Sequence, residues 1–238
     1  MRKKILMIGN TDGLPGVPVD INDYYSFFTS PVGGSWYSDD EIDVLLNPTQ
    51  HELLETIADI QKANYDYLIT VFSGHGEETS DGTVLSINGD AETILLHNLT
   101  ELADRQLLII HCCRVHHRIP EDISIDSTAL SLSRNSVRKA YEKLIQRSAP
   151  QQVILFSCED KEVTWGTAEG GFYSQYLLDA IELELENPHL RFVSVGRAHY
   201  RAVSLMRQDD FLSEQNPTMQ QSPCSVHRRL PLAVNLWW

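Results

Sequence analysis

The stretch YLITVFSGHG, residues 67–76, decides how the rest of the chain is interpreted. Residues 67–72 have the length and mostly apolar composition of a strand buried on both faces, and they end at a polar, glycine-containing turn. His75 stands between two glycines at the end of this strand, where a sharp turn leaves the imidazole exposed. The pattern indicates either a functional histidine or a polar residue in a tight turn.

Short apolar runs alternate along the chain with segments of helical periodicity, which is typical of βαβ units and a mostly parallel sheet. A capping box, TQHE at residues 49–52, starts one helix, and Asn88-Gly89 predicts the turn of a hairpin within residues 82–96. We predict one α/β domain over residues 1–238. Its strands are expected at residues 4–8, 42–46, 67–72, 107–110, 153–157 and 230–234, and further helices at 21–29, 135–146, 171–186 and 195–207.

A second predicted strand is also followed by side chains that are capable of catalysis. Residues 107–110, LLII, are followed by His111, Cys112 and Cys113. In open α/β sheets ligands bind at the carboxyl ends of strands, so a cysteine here would face His75 across one crevice. A thiol nucleophile needs such a base to form its thiolate. A cysteine at a strand end is equally a common small core residue, and both interpretations stay open on spacing alone.

Other motifs give weaker predictions. Glycines at positions 9, 13 and 16 lack dinucleotide-loop spacing, and Pro15 and Pro18 interrupt the helix that would hold the phosphates. Cys112, Cys113, His116 and His117 are metal-capable, but adjacent residues of a strand point to opposite faces. A structural zinc is therefore the weaker alternative, and we predict no metal centre.

Charge and composition limit the partners. The net charge is −14, with 5 basic and 18 acidic side chains in residues 1–110 and a near balance thereafter. This distribution argues against nucleic acid and suits a cationic ligand or a solvated acidic surface. No apolar run approaches the roughly 18 residues of a membrane span, so we expect no membrane partner and a cytoplasmic location. Four cysteines without paired spacing predict reduced thiols.

At these residues the sequence resembles the caspase-like cysteine peptidases, specifically their prokaryotic and metacaspase-type branch. The matching pieces follow the family's order over nearly the whole chain. They are Asn22-Asp23, the SGHG motif at residues 73–76, HCC at 111–113, SCED at 157–160 and GGFYS at 170–174.

The resemblance implies a three-layer α-β-α sandwich with a central, mostly parallel six-stranded sheet. It also implies a cysteine endopeptidase that hydrolyses a protein or peptide substrate through a dyad of His75 and Cys113. Cys113 would attack the scissile carbonyl and His75 would protonate the leaving amine. The backbone N–H groups of Gly76 and Cys113 would form the oxyanion hole.

The chain departs from the family pattern near the substrate pocket. His111 takes the place of the family's aspartate, and the Ser-Gly after the nucleophile is absent. Cleavage after aspartate is not expected, and a basic or neutral residue before the cut is favoured. The alternative is a catalytically inactive interaction module. The residues assigned to the substrate pocket are Asp23, Asp20, His111, Ser157, Glu159 and Asp160.

Control of the site is expected, because an exposed peptidase site would be hazardous to a cell. Residues 114–133 follow the predicted nucleophile and are the candidate for a gating or self-processed loop. An activating partner or small-molecule effector would act there, and prokaryotic relatives often serve as effectors in antiviral or cell-death systems. No cofactor is expected. Calcium activation, seen among metacaspases, is conceivable at Asp39, Asp40, Glu41 and Asp43, although an acidic strand flank is the simpler interpretation.

Overall fold

A computed structural model of the chain describes residues 1–112, 134–209, 211–212 and 214–236. Two predictions from the sequence, the nucleophile Cys113 and the loop at residues 114–133, lie outside the described residues. Within the described ranges, no helix is both long and apolar enough to cross a bilayer.

A central sheet of six strands organises the fold, in the order β12-β8-β7-β3-β1-β2. Four of its five strand pairings are parallel, and the fifth is antiparallel, between β12 and β8. The strands are β1 (Lys3–Gly9), β2 (Ile42–Leu46), β3 (Tyr67–Gly74), β7 (Arg105–Cys112), β8 (Gln151–Phe156) and β12 (Thr218–Gln221).

Helices cover both faces of the sheet, as the βαβ pattern predicts. One face packs against α3 through Leu53, Ile57 and Ile60, and the other carries the remaining long helices. Thr49 caps α3, since its hydroxyl accepts from the Glu52 N–H at 3.2 Å. The helices are α1 (Val17–Thr29), α2 (Ser38–Glu41), α3 (Gln50–Ala63), α4 (Arg134–Arg147), α5 (Phe172–Leu185) and α6 (Val195–Met206).

The start of α1 corrects one expectation. The helix begins at Val17, ahead of the predicted residue 21, and Pro18 lies in its first turn. The first N–H groups of a helix have no partner within it, so a proline there loses nothing and its fixed φ suits the helix.

A small antiparallel sheet follows β3 directly. It consists of β4 (Gly76–Thr79), β5 (Gly82–Ser86) and β6 (Thr93–Leu95), and the hairpin between β5 and β6 confirms the predicted turn. Asn88 shapes that turn by accepting from the N–H groups of Asp90 and Glu92.

The last predicted strand, at residues 230–234, does not belong to the central sheet. β13 (Pro231–Val234) pairs with β11 (Phe192–Ser194) beside the helices and is not part of the central sheet. The sixth central strand is β12, whose sequence TMQQ has three polar residues in four, as an edge strand allows. An apolar run marks burial and not membership of a particular sheet. Two short strands, β9 (Gly166–Thr167) and β10 (Gly170–Gly171), pair ahead of α5.

Candidate active site

His75 lies at the point where the connections of the sheet diverge. β2 and β3 flank β1 on opposite sides, so the loops after β1 and β3 separate and leave a crevice at their carboxyl ends. The side chain of His75 is exposed there, and its Nε2 lies 2.8 Å from the Asp12 carbonyl oxygen. A carbonyl only accepts, so Nε2 carries the proton and Nδ1 is left as an acceptor. His75 is thereby oriented as a base.

The loop that orients His75 is itself held by Asn10. The Asn10 side-chain amide donates to the Ser86 carbonyl at 2.9 Å, and its carbonyl accepts from the Asp12 N–H at 3.0 Å. Asn10 is 1% exposed, so these hydrogen bonds are protected from water. The sequence motifs did not reveal this asparagine, whose role depends on two loops meeting in space.

The end of β7 lies directly beside this histidine. Gly74 of β3 pairs in register with Cys112 of β7, so His75 stands one residue beyond that pair. The predicted adjacency of the two strand ends is confirmed, although Cys113 itself is not among the described residues. Cys112 is 2% exposed and packs in the core with the face that α3 covers.

Gly76 is in tight contact with this cysteine. A Cβ built on Gly76 would lie 2.7 Å from the Cys112 Sγ and 3.1 Å from the Val84 carbonyl oxygen. Real Cβ atoms essentially never lie within 3.0 Å of another atom, so a side chain at this position would force the buried Cys112 or the Gly76 backbone to move. The glycine after the histidine therefore lets β4 pass over the end of β7.

Behind the crevice, Asp20 of α1 is the centre of a buried polar cluster. One carboxylate oxygen accepts from the Ser73 hydroxyl at 2.7 Å and the other from the Gly171 N–H at 2.8 Å. Asp20 is 2% exposed, and both of its oxygens are thus satisfied by uncharged donors.

His111 joins the same cluster from β7. Its Nδ1 lies 3.0 Å from the Ser174 hydroxyl, and a Cβ on Gly171 would fall 1.8 Å from the His111 ring. Burial lowers the pKa of His111, against the opposing effect of the Asp20 charge. The imidazole is therefore neutral near pH 7.

The other predicted pocket residues are dispersed. Asp23 is half-buried on α1, and its pKa is raised by burial and by the nearby Asp20 charge. Ser157 is buried and its hydroxyl faces the Cys112 carbonyl, whereas Glu159 and Asp160 are exposed just beyond β8. The structure therefore brings Asp20 and His111 together, with Ser73 and Ser174 as partners, and places Asp23 at the edge of the cluster.

The acids considered for calcium belong to the opposite end of the sheet. Asp43 accepts from the Lys4 ammonium at 2.7 Å, and Glu41 is paired with Lys3 and Arg138. Among the described residues, no group of three or more His, Cys, Asp or Glu side chains is arranged to hold a metal ion. Calcium activation stays a prediction from the sequence.

Comparisons with known proteins agree with this architecture. A family model described as "Caspase domain" matches residues 2–230. No curated protein sequence matches the chain. Among solved structures, a structural-genomics target from Geobacter sulfurreducens superposes with a TM-score of 0.59 at 14% identity, covering 96% of this chain and 97% of that one. Caspase-1 from Spodoptera frugiperda gives a TM-score of 0.58 at 14% identity, covering 92% and 87%. At such identities the structural likeness concerns the fold alone.

Proposed function

The chain belongs to the caspase-domain peptidase family, and on that premise we propose that it is a cysteine endopeptidase with His75 and Cys113 as its dyad. One observation carries the proposal. An exposed histidine, oriented through its Nε2 by the Asp12 carbonyl, lies beside the strand that leads directly into Cys113. The thiol of Cys112 does not compete for the role, because it is buried in the core beneath Gly76.

The proposed reaction proceeds through an acyl-enzyme. The Cys113 thiolate attacks the scissile carbonyl carbon, a C–S bond forms, and the carbonyl electron pair moves onto oxygen. When that pair returns, the C–N bond breaks and the leaving amine takes a proton from the His75 imidazolium. Water activated by His75 then hydrolyses the thioester. The N–H groups of Gly76 and Cys113 would hold the oxyanion in both steps.

We further propose that the residue before the cut is basic or neutral and not acidic. The buried carboxylate of Asp20, with Asp23 close by, makes the neighbourhood of the pocket unfavourable for another carboxylate. His111 is neutral and adds no positive charge. Glu159 and Asp160 would extend the same negative potential to the rim. Coumarin-amide peptides with Arg, Ala or Asp before the scissile bond test this order of preference.

Two alanine variants test the nucleophile. Cys113→Ala should abolish cleavage of the coumarin peptides, because it removes the thiol that directly follows β7, whereas Cys112→Ala should keep most of the activity. Cys112→Ala leaves a small cavity, so its activity is normalised to the folded fraction measured by circular dichroism. Full activity in Cys113→Ala would refute the assignment.

A catalytically inactive interaction module is the second candidate, and buried His111 at the position of the family's aspartate favours it. An iodoacetamide-based labelling experiment separates the two candidates. Rapid, selective alkylation of Cys113 at neutral pH indicates a thiolate activated by His75. A rate no higher than that of free cysteine, together with no cleavage, favours the inactive module.

A further inference from the structure

The ladder between β7 and β8 ends in an unusual way. Its last hydrogen bond runs from the Ser157 N–H to the Ile110 carbonyl at 3.1 Å. In a continuing parallel ladder, the Glu159 N–H would donate to the Cys112 carbonyl. The Glu159 N–H donates instead to the Glu162 carboxylate at 3.1 Å. The Cys112 carbonyl is therefore available to other donors.

Three side chains converge on that carbonyl. Its oxygen lies 3.1 Å from the Thr164 Oγ1, 3.3 Å from the Ser157 Oγ and 3.5 Å from the Cys158 Sγ. The two hydroxyls are also hydrogen-bonded to each other. Each hydroxyl has one proton, so the shorter contact assigns Thr164 as donor to the carbonyl and Ser157 as donor to Thr164.

The hydroxyls are held in place by Gln215. Its side-chain amide donates to the Ser157 carbonyl at 2.7 Å, and its side-chain oxygen accepts from the Trp165 N–H at 3.1 Å. Gln215 is 2% exposed, Ser157 1% and Thr164 3%. The Thr164 hydroxyl is therefore a fixed and buried donor to the Cys112 carbonyl, and the Ser157 hydroxyl holds it in place.

We propose that Thr164, supported by Ser157, is a positioning residue for the oxyanion hole. The inference rests on the proposed function, which assigns the Cys113 N–H to that hole. The planar peptide group that carries the Cys112 oxygen also carries the Cys113 N–H. A hydrogen bond to the oxygen fixes the plane of this group and polarises it, which makes the N–H a stronger donor. The effect appears when negative charge develops on the substrate oxygen.

The test is the isosteric variant Thr164→Val, which removes the hydroxyl and keeps the shape of the side chain. We expect kcat for the coumarin peptides to fall about tenfold with KM unchanged, less than the roughly 10²–10³-fold cost of losing a whole donor. Thr164→Ser should restore kcat. Ser157→Ala should give a smaller loss in kcat, and it serves as the second variant if Thr164→Val does not fold.

Alkylation by iodoacetamide provides the discriminating measurement. This reaction displaces iodide from carbon and forms no oxyanion, so Thr164→Val should alkylate Cys113 at the wild-type rate. The matched control is Thr70→Val, since the Thr70 hydroxyl is buried in β3 without a hydrogen-bond partner among the described residues. Thr70→Val should change neither rate.

Three results would overturn the inference: an unchanged kcat in Thr164→Val, a parallel fall in alkylation and peptide cleavage, or no recovery in Thr164→Ser. A parallel fall would mean that Thr164 supports the sulfur or the fold and not the oxyanion. A wild-type protein that neither cleaves nor alkylates rapidly would refute the proposed function itself, and the inference with it.

Discussion

At the amino end of the central sheet buried charges meet opposite charges, whereas at the carboxyl end a buried carboxylate is held by uncharged donors. The amino-end network consists of Lys3, Glu41, Arg138 and Glu142. The Lys3 ammonium lies 3.3 Å from Glu41 and 3.7 Å from the centre of the Trp36 ring. Arg138 forms ion pairs with both Glu41 and Glu142. These contacts join β1, the end of α2 and α4.

The cluster at the carboxyl end has a different composition. Asp20 receives hydrogen bonds from Ser73 and Gly171, and His111 beside it is kept neutral by burial. Paired charges fix elements to one another, whereas a carboxylate with no cation beside it among the described residues keeps a negative potential that a ligand can use. The comparison assigns the charge pairs of the amino end to the fold and supports the proposal that substrate binds at the carboxyl end.

Glu41→Gln is the strongest test of this division. It removes the carboxylate that Lys3 and Arg138 share most closely and leaves Glu142 as their remaining partner. The loss should therefore fall at the lower end of the about 3–5 kcal/mol that removal of one partner of a buried pair costs. We expect that loss in the free energy of unfolding, measured by urea titration, with kcat per folded molecule unchanged. Asp43→Asn is the matched control, because Asp43 is 40% exposed in its pair with Lys4 and should cost at most about 1 kcal/mol. A fall in kcat for Glu41→Gln would show that the two ends are coupled.

Gly76→Ala tests the carboxyl end. The added Cβ meets the Cys112 Sγ and the Val84 carbonyl, so β4 must shift and displace the proposed oxyanion donor. We expect the rate of peptide cleavage to fall about 10²–10³-fold, with a smaller change in stability than for Glu41→Gln. Gly196→Ala on α6 is the control, because its nearest neighbours are flexible side-chain ends at 3.6 Å. Cleavage within threefold of wild type in Gly76→Ala would remove Gly76 from the oxyanion hole.

The pH dependence of stability gives the smallest expected effect. The folded-state pKa of His111 is lowered by burial, so below about pH 6.5 the unfolded state binds a proton that the folded state does not. The free energy of unfolding should therefore fall as the pH drops from 7 to 4.5. His199, whose pKa is lowered to about 4 by burial, contributes in the same direction.

Urea titrations across this pH range separate the two histidines. His111→Gln and His199→Gln should each show a shallower loss of stability than the wild type. The control is His51→Gln on α3, which changes a side chain that is 84% exposed. An unchanged slope in His111→Gln would mean that His111 binds its proton as readily in the folded protein as in the unfolded chain.

The sequence predicts most of the sheet because its inner strands are buried on both faces. β1, β3 and β7 are continuous apolar runs, and their order along the chain implies parallel pairing. β12 is not predicted from the sequence, because an edge strand needs no apolar run. Its TMQQ sequence is ordered by pairing with β8, a contact about sixty residues away in the chain.

The residues of the candidate site likewise fall into two groups: some are marked by a local sequence pattern, and others are placed only by tertiary contacts. SGHG identifies His75, since glycines around a histidine at a strand end form a local pattern. The Asn-Asp pair indicates Asp23, which lies at the edge of the cluster, whereas Asp20 is placed at its centre by the packing of α1 against β10. No local sequence pattern indicates Thr164, because the group that it contacts is a backbone oxygen at the end of β7.

The position of β1 inside the sheet has a consequence for how the protein is made. β1 lies between β2 and β3, so the strand of this sheet that is synthesised first pairs with strands that emerge later. β3, β7, β8 and β12 then add one after another to the same growing edge, in the order of their synthesis. Each step presents an unpaired strand until the next one arrives, which exposes the nascent chain to pairing with other chains. The polar, antiparallel β12 ends this growth.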